Sequence, residues 1–170
     1  VQYTGVKLSD LLRETGLKPK AKWVLAEGSD TSGMTRSIPI EKILDDCLIA
    51  WAMNGEALRP EQGYPARLVV PGWEGNMWVK WIRRLEFGDK PYMTREETSK
   101  YTDLLTDGKA RMFTWVMEAK SVVTSPSPEK PILHKGIQQL RGLAWSGKGK
   151  IKRVDVSLDG GKNWRTAQLH

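Results

Sequence analysis

Two cations set among apolar residues are the first feature of this sequence that could do chemistry. Arg67 opens the run Arg-Leu-Val-Val-Pro-Gly, and Lys80 lies between Val79 and Trp81. A charge in such surroundings is costly unless it is paired or meets an anion. Gly72 and Gly75 fall between the two cations, and glycine lets a backbone approach a ligand closely and present its N–H groups. Residues 62–81 therefore fit a cradle for a phosphate or another flat anionic cofactor. The alternative is that Arg67 and Lys80 simply reach solvent at alternate strand positions. Spacing alone does not choose between them.

The rest of the polar inventory is thin. A single cysteine, Cys47, excludes an intrachain disulfide and a Cys-rich zinc site. The two histidines, His134 and His170, lie far from it in sequence. Cys47 itself, between Asp46 and Leu48, reads as a small buried hydrophobe. The net charge of +7 suits an anionic cofactor, a small anionic substrate or a docking face for an acidic protein. Nucleic acid is not expected, because the basic residues are spread along the chain without a polybasic arm. Eight Trp against two Phe suit pocket walls or an interface. No apolar run approaches the ~20 residues of a membrane helix, so no membrane span is expected.

The elements that must position these residues fall into two regions, 1–108 and 109–170. In the first, Leu8, Leu11 and Leu12 have helical spacing, with Ser9 or Thr4 as possible caps and Gly16 closing the segment. Residues 23–26 read as a short buried strand, 28–33 as a polar loop, and 37–41 as the start of a helix with Pro39 in its first turn. Residues 48–53 form a second apolar run, ended by the turn pair Asn54-Gly55. Arg67 begins a strand that ends in a Pro-Gly turn, and residues 79–87 form another. Residues 89–108 are polar and charged, and read as a surface crossing. The second region looks all-β: Val154, Val156 and Leu158 alternate, Asp159-Gly160-Gly161 is a hairpin turn, and residues 163–169 return. Short strands with such turns suggest an immunoglobulin-like sandwich, although only some of its roughly seven strands are visible.

Residues 56–72, followed by 75–81, resemble the signature of the sulfite oxidase family of molybdopterin oxidoreductases. Two further segments agree and occur in the family's order. Residues 3–12, Tyr-Thr-Gly-Val-Lys-Leu-Ser-Asp-Leu-Leu, are similar to its Trp-x-Gly-Val-x-Leu-x-Asp-Leu-Leu segment. Residues 143–164 resemble the start of its dimerisation domain. The stretch 30–39 resembles more narrowly the sulfane dehydrogenase branch of the family. The fold implied is α+β: the C-terminal part of a sulfite-oxidase-type molybdopterin-binding fold, then a truncated immunoglobulin-like β-sandwich.

The resemblance also implies roles. Asp10, Gln62, Arg67, Trp78, Val79 and Lys80 would contact the cofactor, with a cation at Arg67 suited to its phosphate. Gln62 stands where the family often has His, and it cannot titrate near neutral pH. Lys150, with Lys148 as a rival, would face the substrate anion. Met34 falls where sulfite oxidases place a Tyr beside the metal, and a thioether cannot hydrogen-bond to an oxyanion or shuttle a proton. That difference points from free sulfite towards sulfane sulfur on a carrier protein. The molybdenum-ligating Cys would precede Val1, so the chain is expected to supply no metal ligand and to be inactive alone. The whole enzyme would be periplasmic, form homodimer contacts through its second domain and pass electrons to a c-type cytochrome. A nitrate- or sulfoxide-reducing relative, or a non-catalytic basic docking module, remains open.

Overall fold

The computed structural model describes all 170 residues, which separate into two compact units, Val1–Trp115 and Val116–His170. In chain order the first unit contains β1 (Tyr3–Lys7), α1 (Leu8–Thr15), β2 (Trp23–Gly28), β3 (Thr35–Pro39), α2 (Ile40–Asp45), β4 (Leu48–Met53) and β5 (Glu56–Ala57). It continues with β6 (Arg67–Val69), β7 (Ile82–Gly88), α3 (Arg95–Ser99), β8 (Thr102–Leu104) and β9 (Ala110–Met112). One antiparallel sheet is organised on β4, which pairs with β1, β5 and β6. A second has the order β3-β2-β7, and β8 with β9 forms a small ladder.

These elements follow from the sequence with specific adjustments. Helix α1 begins directly after β1 with no side-chain cap, so neither Ser9 nor Thr4 caps it; Lys7 precedes the first turn instead. Its end is closed as expected by Gly16, at φ +79°, whose N–H donates to the Leu12 carbonyl at 3.0 Å. Ser37, Ile38 and Pro39 belong to strand β3, and α2 starts one residue later at Ile40. The apolar runs make the core: Val24, Leu25 and Ala26 on β2, Ala50 on β4, Leu68 and Val69 on β6, with Leu8, Ile40 and Ile43 from the helices. No helix is long and apolar enough to cross a membrane.

Residues 89–108 are more than the expected surface crossing. They contain α3 and β8, and Thr94 caps α3 by accepting from the Glu97 N–H. Glu97 is fully buried against the equally buried Arg36 of β3. The carboxylate accepts from Arg36 Nε at 2.9 Å, from Arg36 Nη2 at 3.1 Å and from the Ser37 N–H at 2.9 Å. The Arg36 guanidinium also lies 4.0 Å from the Tyr101 ring centroid. Burial pushes the Glu97 carboxyl up and the Arg36 guanidinium down from their ordinary values, each opposed by the other's charge.

The second unit is all-β, as its sequence implied. β10 (Lys120–Ser125) pairs antiparallel with β11 (Arg141–Trp145), and β12 (Asp155–Val156) with β13 (Arg165–Thr166). The Asp159 turn between the last two is held by its own carboxylate, which accepts from the N–H groups of Lys162 and Asn163. Every buried hydrophobic residue of the chain lies between Leu8 and Phe113, in the first unit, while Val122, Val123, Leu143 and Trp145 are exposed. Two-stranded ladders have too little face to enclose a core of their own.

Candidate cofactor site

The sheet register brings Arg67 opposite Ala50, so a long cationic side chain rises beside a short apolar one. Residues 79–82 run alongside β6, with the Leu68 N–H donating to the Val79 carbonyl at 2.8 Å and the Ile82 N–H to Ala66 at 2.9 Å. Arg67 is buried, which removes the surface-reaching alternative for this residue. Its Nη1 donates to the Gln62 carbonyl at 3.0 Å and its Nη2 to the Trp78 carbonyl at 3.1 Å. Nε is buried and has no partner. No carboxylate pairs with it. The guanidinium sits 5.7 Å from the Tyr3 ring and 5.8 Å from the Trp78 ring, and these two rings meet edge to face at 5.7 Å. Burial lowers the Arg67 pKa, partly opposed by Tyr3, yet a guanidinium stays charged throughout the working pH range. The result is a desolvated cation held by carbonyls and π faces, with its Nε left without a partner.

Lys80 is differently placed. Its ammonium is accessible, donates to the Glu61 carbonyl at 2.6 Å and lies 5.4 Å from the Trp81 ring. Trp81 in turn donates from Nε1 to the Pro60 carbonyl at 2.8 Å. Gly63 joins the two cations. At φ +109° it takes a conformation that side chains rarely adopt, and a Cβ there would fall 2.9 Å from Lys80 Cβ and 3.2 Å from Arg67 Cβ. Val79 is buried, and Trp78 is fixed by its Nε1 donating to the Trp73 carbonyl at 3.2 Å. Gln62 contributes its backbone carbonyl to Arg67, whereas its side chain accepts from the Arg59 N–H at 2.9 Å.

Five of the expected contact residues, Gln62, Arg67, Trp78, Val79 and Lys80, thus converge on one cluster. Asp10 does not join it through any hydrogen bond or ion pair. It lies in the first turn of α1 and pairs with Arg13 at 2.9 Å. Lys150 belongs to the second unit, is exposed and makes no ion pair, while its rival Lys148 is bound to Glu118 at 2.9 Å. Cys47 is buried, its thiol faces the Lys42 carbonyl at 3.2 Å, and burial pushes it up to about 12. Sequence reasoning gave no role to Tyr3 or Gly63. Both lie inside the signature segments, and the β1–β4–β6 pairing is what carries Tyr3 to the Arg67 strand.

A buried cation with an unpartnered Nε, beside a lysine and a positive-φ glycine, has the chemistry to hold an anion. Comparison with known proteins gives the family. Residues 1–96 match the oxidoreductase molybdopterin binding domain, and residues 111–170 match the Mo-co oxidoreductase dimerisation domain. The chain belongs to the molybdopterin oxidoreductases of the sulfite oxidase family. More particularly, it is 66% identical to the crystal structure of the sulfane dehydrogenase SoxCD from Paracoccus pantotrophus, with a TM-score of 0.89 over 99% of this chain and 43% of that one. Mitochondrial sulfite oxidases of Drosophila melanogaster and Homo sapiens are 34% and 31% identical over 99% of this chain. An NADH nitrate reductase of Ulva prolifera is 31% identical over 95% of it. The chain spans 33% and 34% of the two sulfite oxidases and 22% of the nitrate reductase. The cofactor of the family is the molybdenum cofactor, and the unpartnered Arg67 Nε fits its anionic end.

Proposed function

We propose that the whole protein is a molybdenum-cofactor oxidoreductase that oxidises sulfur, either sulfane sulfur bound to a carrier protein or sulfite. It passes the electrons to a c-type cytochrome, and it works in the periplasm. The observation that carries this reading is the buried Arg67 guanidinium with no counter-ion and an unpartnered Nε. An uncompensated buried charge costs several kcal/mol, and an anionic ligand offsets that cost.

When bound, the cofactor supplies oxygen-atom transfer to sulfur and accepts two electrons. The chain's own share is binding and electrostatic tuning. Arg67 takes the anionic end by a charge-assisted contact, and the carbonyls of Gln62 and Trp78 hold its guanidinium in place. Trp78 and Val79 close the apolar side. Lys80 adds positive potential at the accessible edge, and Asp10 belongs to the same proposed contact set. Lys150 is proposed to attract the substrate anion. Met34, in place of a tyrosine hydroxyl, gives the substrate side no donor for a free oxyanion, which favours sulfane sulfur. The match of residues 111–170 to a dimerisation domain supports homodimer contacts through the second unit.

The test is cytochrome c reduction by the full-length protein, loaded with cofactor, given a protein-bound persulfide or sulfite in turn, with nitrite formation from nitrate and a separate reductant measured in a second assay without cytochrome. The persulfide should be turned over with the highest kcat/KM. Preference for sulfite would narrow the reading to the parent activity, and nitrate reduction without sulfur oxidation would overturn it.

A further inference from the structure

The loop before β3 carries Met34, and its backbone is fastened to the segment that forms the Arg67 cluster. The Ser29 N–H donates to the Trp81 carbonyl at 2.9 Å. At Gly28 the two chains approach so closely that an added Cβ would fall 2.7 Å from the Lys80 carbonyl oxygen and 3.4 Å from Val79 Cγ1. The same Cβ would lie 3.0 Å from Asp30 Oδ1, so the Asp30 carboxylate sits at this crossing point. Asp30 organises the loop from within. Its Oδ1 accepts from the Met34 N–H at 3.0 Å, its Oδ2 accepts from the Ser32 hydroxyl, and its carbonyl accepts from the Gly33 N–H at 2.9 Å. The Gly28 N–H donates to the Met34 carbonyl at 2.9 Å and closes the turn. A carboxylate bonded to a backbone N–H in this way fixes a turn more firmly than a neutral acceptor does.

We propose that Asp30 is the positioning residue for Met34: it fixes where the thioether stands relative to Val79 and Lys80, and so sets the discrimination between sulfane sulfur and sulfite. The inference rests on the reading that Met34 faces the substrate. Asp30's hydrogen bonds all stay within its own loop, to Ser32, Gly33 and Met34, so its proposed action runs through Met34. Without its acceptor the Met34 N–H is freed, the loop samples other positions, and a site shaped by a fixed thioether loses its preference. Small displacements near a reacting centre carry large rate effects.

The full-length protein is tested as Asp30→Ala, Asp30→Asn, Gly28→Ala and Met34→Tyr, with pterin content measured in each. The readouts are the kcat/KM ratio for a protein-bound persulfide over sulfite, and hydrogen exchange of the Met34 amide. Asp30→Ala should lower the ratio and raise Met34 exchange, each by roughly tenfold, as expected for loss of a hydrogen bond to a charged group. Asp30→Asn keeps an oxygen acceptor without the charge and should fall between the parent and Asp30→Ala on both readouts. Gly28→Ala pushes on the same crossing and should move the ratio in the same direction as Asp30→Ala. Unchanged Met34 exchange in Asp30→Ala, or an equal loss on both substrates, overturns the proposal. If Met34→Tyr shifts the ratio while Asp30→Ala and Gly28→Ala do not, Asp30 is not the positioning residue and the substrate reading stands. If Met34→Tyr leaves the ratio unmoved, the substrate reading fails, and exchange at Met34 still decides what holds the loop.

Discussion

Replacing Glu97 by leucine should be among the most damaging single changes in the first unit, although Glu97 lies far from the Arg67 cluster in sequence. Glu97 accepts two bonds from Arg36 and one from the Ser37 N–H, and both charged side chains are fully buried. Removing the carboxylate leaves Arg36 as an uncompensated buried charge, a loss that typically costs about 3–5 kcal/mol. The Tyr101 ring is present before and after, so its contact offsets none of this. With a urea slope of about 2 kcal/mol per molar, the midpoint should fall by roughly 1.5–2.5 M. Trp23, Trp73 and Trp115 cluster in the same unit, with Trp73 and Trp115 stacked at 5.2 Å, so tryptophan fluorescence reports its unfolding. The double variant Arg36→Met with Glu97→Leu removes both charges and should recover most of the loss, because a well-packed apolar pair often matches a buried ion pair. A midpoint shift under about 0.3 M for Glu97→Leu, or a double variant no better than the single, would refute the reasoning.

The other predictions concern single groups. Cys47 should resist a thiol reagent at pH 8 in the folded protein and react once unfolded, since its thiol is pushed up to about 12; Cys47→Ala should leave metal content unchanged. The Asp159 carboxyl should titrate at about 2 by NMR, below its ordinary 3.8, chiefly because it accepts from Asn163. A depressed carboxylate of this kind stabilises the hairpin above pH 3.8 and loses that contribution as pH falls towards about 2. Asp159→Asn should abolish the titration and the acid-side loss together. Gly63→Ala should cost about 1–3 kcal/mol in a melting experiment, because its positive φ and the Lys80 and Arg67 neighbours both oppose a side chain.

What was legible in the sequence was mostly local. The Asp159-Gly160-Gly161 turn, the apolar strands of β2, β4 and β6 and the Gly16 helix end depend on neighbours a few residues apart. Arg67 could be singled out because a lone cation in an apolar run is anomalous wherever the run packs. Its lack of a counter-ion was not legible, since that depends on everything the fold brings near it. Glu97 was hidden for a related reason. It lies in a charged stretch that averages to a solvated surface, and its partner Arg36 is 61 positions away. Tyr3 reaches Arg67 through strand pairing rather than through spacing. Asp10 illustrates the converse: Arg13 three residues on gave it a local partner, and that ion pair is what the fold displays.

The central claim is that the buried Arg67 guanidinium exists to bind the anionic end of the molybdenum cofactor. Arg67→Met in the full-length protein tests it directly, with pterin fluorescence after oxidative release measured alongside urea unfolding of the cofactor-free form. Methionine fills much of the same volume without a charge to desolvate, so the variant should fold at least as stably as the parent while its pterin content falls about tenfold or more. Full pterin content in a folded Arg67→Met protein would contradict the account.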